Sequence, residues 1–600
     1  MFEASLQLAS DHFQGLLEQA GLPQPDRIEW NPIPFSGEWG FGTAACFKVA
    51  AAEVRTRPGV KVPDRAAELA DQLVAQAGLI EGFSRMAAER GYINLYLQPA
   101  DYARQVIDSV LSEGPAFGRG QPKADRVMVE YAQPNTHHSF HIGHARNALL
   151  GESLARIMTF AGFDTVRASY PGDVGLGVIK CMWAYLRFHQ GQEPDGVHQR
   201  GQWLAQIYTQ ANQLLSAEPN ETPEQESQRL AYEAEVRQMY QAWDAGDPQV
   251  RELWERTRAW SLDELKAILE LLDIEIDVYF YESEVDEPAK EIVDQLIEDG
   301  VAEDERPTGG PVIVKIDEKL GLKKETFRTA VLLRSDGTTL YLAKDLALAK
   351  RKFEDFQVDR SIYVVDFRQS LHLQQAFKIL ELYGFPQAKK CFHLAYGFVT
   401  LPDGAMSSRA GNVVLFMDVF EETQRRVRAI IAEKNPDLAE EQAAEVAAQV
   451  ALGSMAYSML AVDNLRDTVF DWDRALDFEG QAAPYIQYAH VRACSILRRS
   501  QGVPASAEPP VAFEPAEITL LDRLSRFPDA VERAAGGYKP LIIANFVYDL
   551  AKEFTDFYQK CPVLAAEGPV QAFRLRLTEA SRQTLENGLR LLAISAPEAM

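Results

Sequence analysis

Residues 127–151, VMVEYAQPNTHHSFHIGHARNALLG, constrain this chain more than any other stretch. Val127, Met128 and Val129 form a short apolar run of the kind that makes a strand buried on both faces. Gln133-Pro134-Asn135-Thr136 interrupts it with turn-forming residues. From Ala145 onward Leu150, Leu154 and Met158 recur at helical spacing, and Gly162 is placed to end that helix. Residues 165–170 read as the next strand. His141-Ile142-Gly143-His144 therefore opens a helix inside a strand–loop–helix–strand unit, where unpaired N–H groups and the helix dipole favour a phosphate. A bare H-x-G-H pattern is weak; this placement is what gives it meaning.

Six hundred residues imply several domains. No apolar run is long enough to cross a bilayer, and MFEASLQLASDHF lacks the basic and apolar halves of a signal peptide. Cys46, Cys181, Cys391, Cys494 and Cys561 show no metal-ligand or redox spacing. The expectation is a reduced, cytoplasmic enzyme with no structural metal, no disulfide and no membrane contact. A net charge of −26 does not exclude RNA, since an acidic total leaves room for a basic face.

In chain order, residues 1–115 read as an α/β module with helices at 6–20 and 65–77, a Gly-aromatic turn at 39–42 and a strand at 92–97. Residues 114–123 form a linker. Residues 188–260 read as a solvated helical excursion without chemistry. Two apolar runs around Ser335-Asp336-Gly337 suggest a hairpin, although Tyr341 and Asp345 are also spaced to share a helical face. Residues 362–366 read as a buried strand. From about 416 to the end the chain is helical, with a soft domain border within 435–451. Residues 404–412, GAMSSRAGN, form a small, hydroxylic loop with one cation. The fold class is α/β: a parallel-sheet catalytic domain at 116–450, between the N-terminal module and an all-helical domain at 451–600.

These motifs resemble the arginyl-tRNA synthetases, of class I, over essentially the full length. P-N-x-x-x-x-F-H-I-G-H-A-R-N contains the class I HIGH signature intact, and residues 406–412 resemble the second signature in the family's divergent form. SDGTTLYLAKD at 335–345, GYINLYL at 91–97 and FDWDRALDFEGQAAPYIQYAHVRACSILRR at 470–499 are similar to family-specific segments. The resemblance implies a Rossmann-type catalytic domain and ligation of L-arginine to tRNA(Arg) through arginyl-adenylate. It also implies ATP as substrate, Mg2+ with the ATP, and a monomer.

By the same resemblance, His141, Gly143, His144, Met406, Ser407, Ser408 and Arg409 would bind ATP, all but Met406 taking part in catalysis. Glu130, Gln133, Asn135, Tyr341, Asp345 and Gln369 would hold arginine, with Glu130 and Asp345 accepting from the guanidinium fork. Tyr488, Arg492 and Met600 would meet the tRNA anticodon region. The N-terminal module would meet its elbow, with Trp39 and Phe41 either there or in the core. Ala405 replaces a signature lysine, which leaves protonated His138, Arg409 or a more distant lysine to offset the triphosphate charge. Two other readings stay open: a small nucleotidyltransferase, which leaves the helical domain without a purpose, and a non-catalytic RNA-binding relative, which needs no complete HIGH.

Overall fold

The computed structural model describes residues 2–55, 60–217, 220–402, 414–436, 438–500 and 502–600. Contacts divide the chain into two compact units. One is Met1–Phe117 with Arg492–Phe527 and Lys552–Thr584; the other is Gly118–Val491 with Pro528–Ala551 and Leu585–Met600.

The first unit contains a four-stranded antiparallel sheet in the order Asn31–Ile33, Trp39–Thr43, Tyr92–Leu97, Arg85–Glu89. The expected Gly-aromatic turn at 39–42 is instead a strand buried throughout. Its glycines serve close packing: a Cβ on Gly40 would lie 2.5 Å from the Leu95 carbonyl oxygen. Trp39 stacks on Tyr102 at 4.3 Å, and Phe41 packs on Phe2. Both are core residues, and neither has a face to offer RNA.

The second unit is built on a five-stranded parallel sheet. Its strands are β1 (Arg126–Glu130), β2 (Asp164–Ser169), β3 (Val278–Tyr279), β4 (Arg360–Asp366) and β5 (Cys391–Tyr396), in the order β5-β4-β1-β2-β3. The strand opened by Val127 lies at its centre, fully buried, as its unbroken apolar run requires. α1 (Ile142–Phe160) follows β1. The excursion between β2 and β3 has its own core around Trp183, Leu204 and Trp254, and ends in α2 (Pro248–Leu271). It was expected to be purely solvated, yet α2 sends Thr257, Arg258 and Ser261 to the site described below.

The expected hairpin around Ser335-Asp336-Gly337 has only one β arm, Thr329–Leu333. After the turn a single bridge joins Leu333 and Thr339, and the chain enters α3 (Tyr341–Phe356). Apolar Leu342, Leu346 and Ala349 keep helical spacing, and this outweighs the two-residue alternation around the turn. α4 (Ser370–Leu382) follows β4. Beyond residue 415 the unit is mostly helical, and the border expected near 450 falls inside the helix Glu440–Leu460. Among the described residues, no helix is long and apolar enough to cross a membrane.

Candidate active site

His141 is the N-cap of α1. Its Nδ1 accepts from the His144 backbone N–H at 3.2 Å, and the Nδ1 of His144 accepts from the His141 backbone N–H at 3.3 Å. The two rings stack 3.6 Å apart. Because both Nδ1 atoms act as acceptors, each neutral ring carries its proton on Nε2, leaving that nitrogen as a donor. Burial pushes the His141 pKa down to about 4, assisted by the charges of His138 and Arg368; burial and the neighbouring histidines also hold His144 well below its ordinary value. The helix thus begins with two neutral N–H donors. Gly143 leaves room for the arrangement, since a Cβ there would come within 3.0 Å of the His141 ring.

The second and third residues after the signature, Arg146 and Asn147, brace the surrounding chain. Buried Arg146 donates to the carbonyls of Phe398, Asn464 and Arg466. Asn147 accepts from Ala132 N–H at 2.6 Å and donates to Val364 O at 2.7 Å, tying β1 to β4. The A-R-N in the sequence frame was their signal. His137, in a left-handed conformation (φ 65°), is wholly structural: its ring bonds Thr136 and Thr257, and its N–H donates to Ser261. The proposal of a protonated His138 as counter-charge finds no support here. Burial lowers its pKa, and the Thr136 carbonyl facing its Nδ1 at 3.2 Å only partly offsets this.

A cluster of carboxylates gathers at the carboxyl ends of the strands, where doubly wound sheets bind ligands. Tyr170, just past β2, feels the charges of Asp345, Glu282, Glu130 and Asp173. A Cβ on Gly172 would meet Asn135 Oδ1 at 2.4 Å and Glu282 Oε2 at 3.2 Å, so glycine is needed for Asn135 and Glu282 to converge. The Tyr170 hydroxyl and Gln133 Oε1 are buried with no hydrogen-bond partner among the described residues, a rare condition that fits a polar ligand.

Each acid has an internal counter-group. Glu130, assigned from the sequence to the guanidinium, pairs with the fully buried Lys352 at 2.5 Å. Asp173 is completely enclosed by Arg258 and Ser283. Glu282 pairs with Lys344 at 2.8 Å, and Asp345 with His372 Nε2 at 2.5 Å. Burial raises the pKa of Glu130 and Glu282, and their lysines oppose that rise. Tyr341, at the start of α3 and within the field of Glu282, is 60% exposed. Gln369 is exposed immediately before α4. Sequence reasoning missed Glu282, because nothing local distinguishes it from its acidic neighbours in YESEVDEP. His372 and the two lysines were missed for the same reason: only the fold brings them to their acids.

Met406, Ser407, Ser408 and Arg409 lie outside the described residues. The chain that follows them returns to the histidines: Ile142 N–H donates to Val414 O, Phe416 N–H donates to Phe140 O, and His141 bridges Leu415. Tyr488 and Arg492 are one turn apart on the helix Ala483–Arg499. Tyr488 is 42% exposed, and Arg492 lies over the Tyr558 ring. Buried Gln487 and His490 bond the carbonyls of Ser595 and Pro597, which fixes the final segment, and Met600 packs beside the cluster around Val427.

The family described as tRNA synthetases class I (R), catalytic domain, matches residues 106–472, and the DALR anticodon binding domain matches 486–600. The arginine–tRNA ligase of Bdellovibrio bacteriovorus is 36% identical over 94% of this chain and 92% of its own length. That of Treponema pallidum is 34% identical over 89% of this chain and 90% of its own. The solved arginyl-tRNA synthetase of Thermus thermophilus superposes with a TM-score of 0.79 at 27% identity, covering 99% of this chain and 100% of that one. The chain belongs to the class I arginyl-tRNA synthetases, ATP-dependent ligases that charge tRNA with arginine through an arginyl-adenylate.

Proposed function

We propose that the carboxylate pocket seats the arginine substrate and that the capped start of α1 receives the ATP phosphates. The observation carrying this reading is the adjacency of two chemistries: acids with orphaned buried acceptors on one side, and two neutral N–H donors on a helix N-terminus on the other. Asp345 and Glu282 are the acceptors we assign to the guanidinium, with Tyr341 over the mouth. Glu130 acts from beneath, fixing Lys352. Gln133, Asn135 and Gln369 would meet the polar end of the amino acid. A neutral side chain would leave these acids unmatched and be rejected strongly.

In the first step an arginine carboxylate oxygen attacks the α-phosphorus while the bond to pyrophosphate breaks, so the work is positioning and charge stabilisation. The Nε2–H groups of His141 and His144 donate to phosphate oxygens as negative charge gathers there, and the helix dipole adds to the same field. Met406, Ser407, Ser408 and Arg409 would complete the phosphate shell; the return of the chain to His141 at Leu415 supports that placement. Mg2+ would arrive with ATP, ligated by phosphate oxygens and water. In the second step a ribose hydroxyl at the tRNA 3′ end takes the arginyl group and AMP leaves. Tyr488, Arg492 and Met600 would address the anticodon region of tRNA(Arg), and the module at 1–115 its elbow. We further assign the protein to the cytoplasm as a monomer.

Pyrophosphate exchange tests the assignment. Exchange is expected with arginine and ATP in the presence of tRNA, and not with lysine or glutamine; exchange driven by another amino acid would overturn it.

A further inference from the structure

Four acids surround the pocket, and their counter-groups differ in one respect. Lys352, Lys344 and Arg258 hold Glu130, Glu282 and Asp173 with ammonium or guanidinium groups, which keep their charge across the physiological pH range. The fourth counter-group, His372 on Asp345, is an imidazole, and only an imidazole can discard its charge near neutrality. His372 sits in the first turn of α4 and Asp345 in the second turn of α3. Their side chains are 27% and 24% exposed, so a proton has a route to water, whereas Lys352 is fully enclosed.

An arginine guanidinium is a permanent cation. Seating it on Asp345 while His372 remains an imidazolium would place two positive groups on one carboxylate in a poorly screened site. We propose that His372 is the removable counter-charge of the pocket: the substrate guanidinium takes over Asp345, and the imidazolium gives its Nε2 proton to solvent as arginine binds. One cation enters, one proton leaves, and the pocket keeps its net charge. The inference rests on the assignment of the guanidinium to Asp345.

The surrounding charges support the exchange. Glu130 from β1 and Glu282 from the turn after β3 both feel Asp345, as do the hydroxyls of Tyr170 beyond β2 and Tyr363 on β4; Lys352 and Lys344 from α3 balance the two glutamates. Burial lowers the pKa of His372, and its bond to Asp345 together with that carboxylate's charge more than reverses this, leaving it above the ordinary 6.5. Neutralising Asp345 with a guanidinium removes the raising influence and leaves burial alone.

Calorimetry of L-arginine binding to the full chain, near pH 6.5 and in two buffers of different ionisation enthalpy, tests the proposal. The wild type should release up to one proton per arginine, so the observed heats should differ between buffers. Its Kd should fall as pH rises, by up to about tenfold per pH unit below the His372 pKa, and level off above it. In His372→Asn, which cannot titrate, arginine should still bind while the proton release and that slope disappear. Equal heats in both buffers for the wild type, or undiminished release in His372→Asn, would overturn the proposal. Absence of any arginine binding by the wild type would overturn the arginine assignment, and the exchange with it.

Discussion

Around His141 and His144 polar groups are stripped of charge, whereas around Asp345 and Glu282 charge is kept and matched. On the nucleotide side burial holds the imidazoles neutral, and the reciprocal backbone bonds fix which nitrogen carries the proton. On the amino-acid side burial works against the carboxylates of Glu130 and Glu282 and their lysines oppose it, while Arg258 and His372 pair with Asp173 and Asp345. The difference follows the ligands. A polyanion that brings its own metal needs donors and no permanent acid nearby, while a cationic side chain needs acceptors already charged before it arrives. Both sides are thus prepared in advance by the same low-dielectric surroundings, used with opposite sign.

The matched side should break most dramatically. Glu130→Gln leaves Lys352 buried without an anion, and losing one partner of such a pair costs about 3–5 kcal/mol of folding stability. Denaturant unfolding should show that loss, and adding Lys352→Met should recover most of it. If Glu130→Gln is neutral, pairing is not what keeps charge in the pocket.

Asp345→Asn addresses the substrate rather than the fold. Removing one member of a charged, hydrogen-bonded contact should weaken arginine use by about 2–5 kcal/mol, or roughly 30-fold to several thousand-fold. The effect should appear in kcat/KM for arginine during exchange, with KM for ATP nearly unchanged. Equal damage to both substrates would mean that the two sides do not act separately.

On the stripped side, His144→Ala should lower the adenylate-forming rate by about 10²–10³, the usual effect of losing one preorganised donor. Arginine binding, followed by calorimetry, should survive. With the His141 pKa at about 4, the maximal rate in the wild type should show no histidine-dependent fall between pH 6.5 and 8 arising from that group.

These two sides were unequally legible in the sequence. The nucleotide side is local: a buried strand, a turn, a capping histidine and a helix lie within about 25 consecutive residues, and each leaves a mark in residue type or spacing. The carboxylate pocket is assembled from β1, the turns after β2 and β3, α3 and α4, and burial and pairing leave no periodic mark. Glu282 and His372 therefore escaped notice, and Glu130 could be read as a ligand although Lys352 takes its carboxylate. The buried strand at 39–43 was hidden because glycine signals a turn and a close approach with the same letter. The hairpin expected at Ser335-Asp336-Gly337 had the right turn, but it led into a helix rather than a second strand.

The smallest effect concerns His137, which extends the stripped side below the site. Its pKa is depressed from 6.5 to about 3 by burial first and by the neighbouring His138 second. A histidine whose folded pKa lies below its unfolded value binds fewer protons when folded. The stability it permits is therefore complete above pH 6.5 and is lost as pH falls below that value, by about 1.4 kcal/mol per pH unit. Glu264, on α2 three residues beyond the His137 partner Ser261, pulls the other way. Burial raises its pKa from 4.5 to about 7, so protonation relieves it and favours the fold as pH falls from 7 towards 4.5. The two opposing slopes overlap between pH 6.5 and 4.5, and the wild-type profile alone does not separate them. His137→Gln keeps a group able to bond Thr257 and removes the titration. Its unfolding free energy should lie within about 1 kcal/mol of wild type at pH 8. The variant should then lose less stability than wild type, by about 1.4 kcal/mol per pH unit, between pH 6.5 and 5. Parallel profiles for the two proteins over that window would show that His137 is protonated in the folded state and that the stripped side ends at His141.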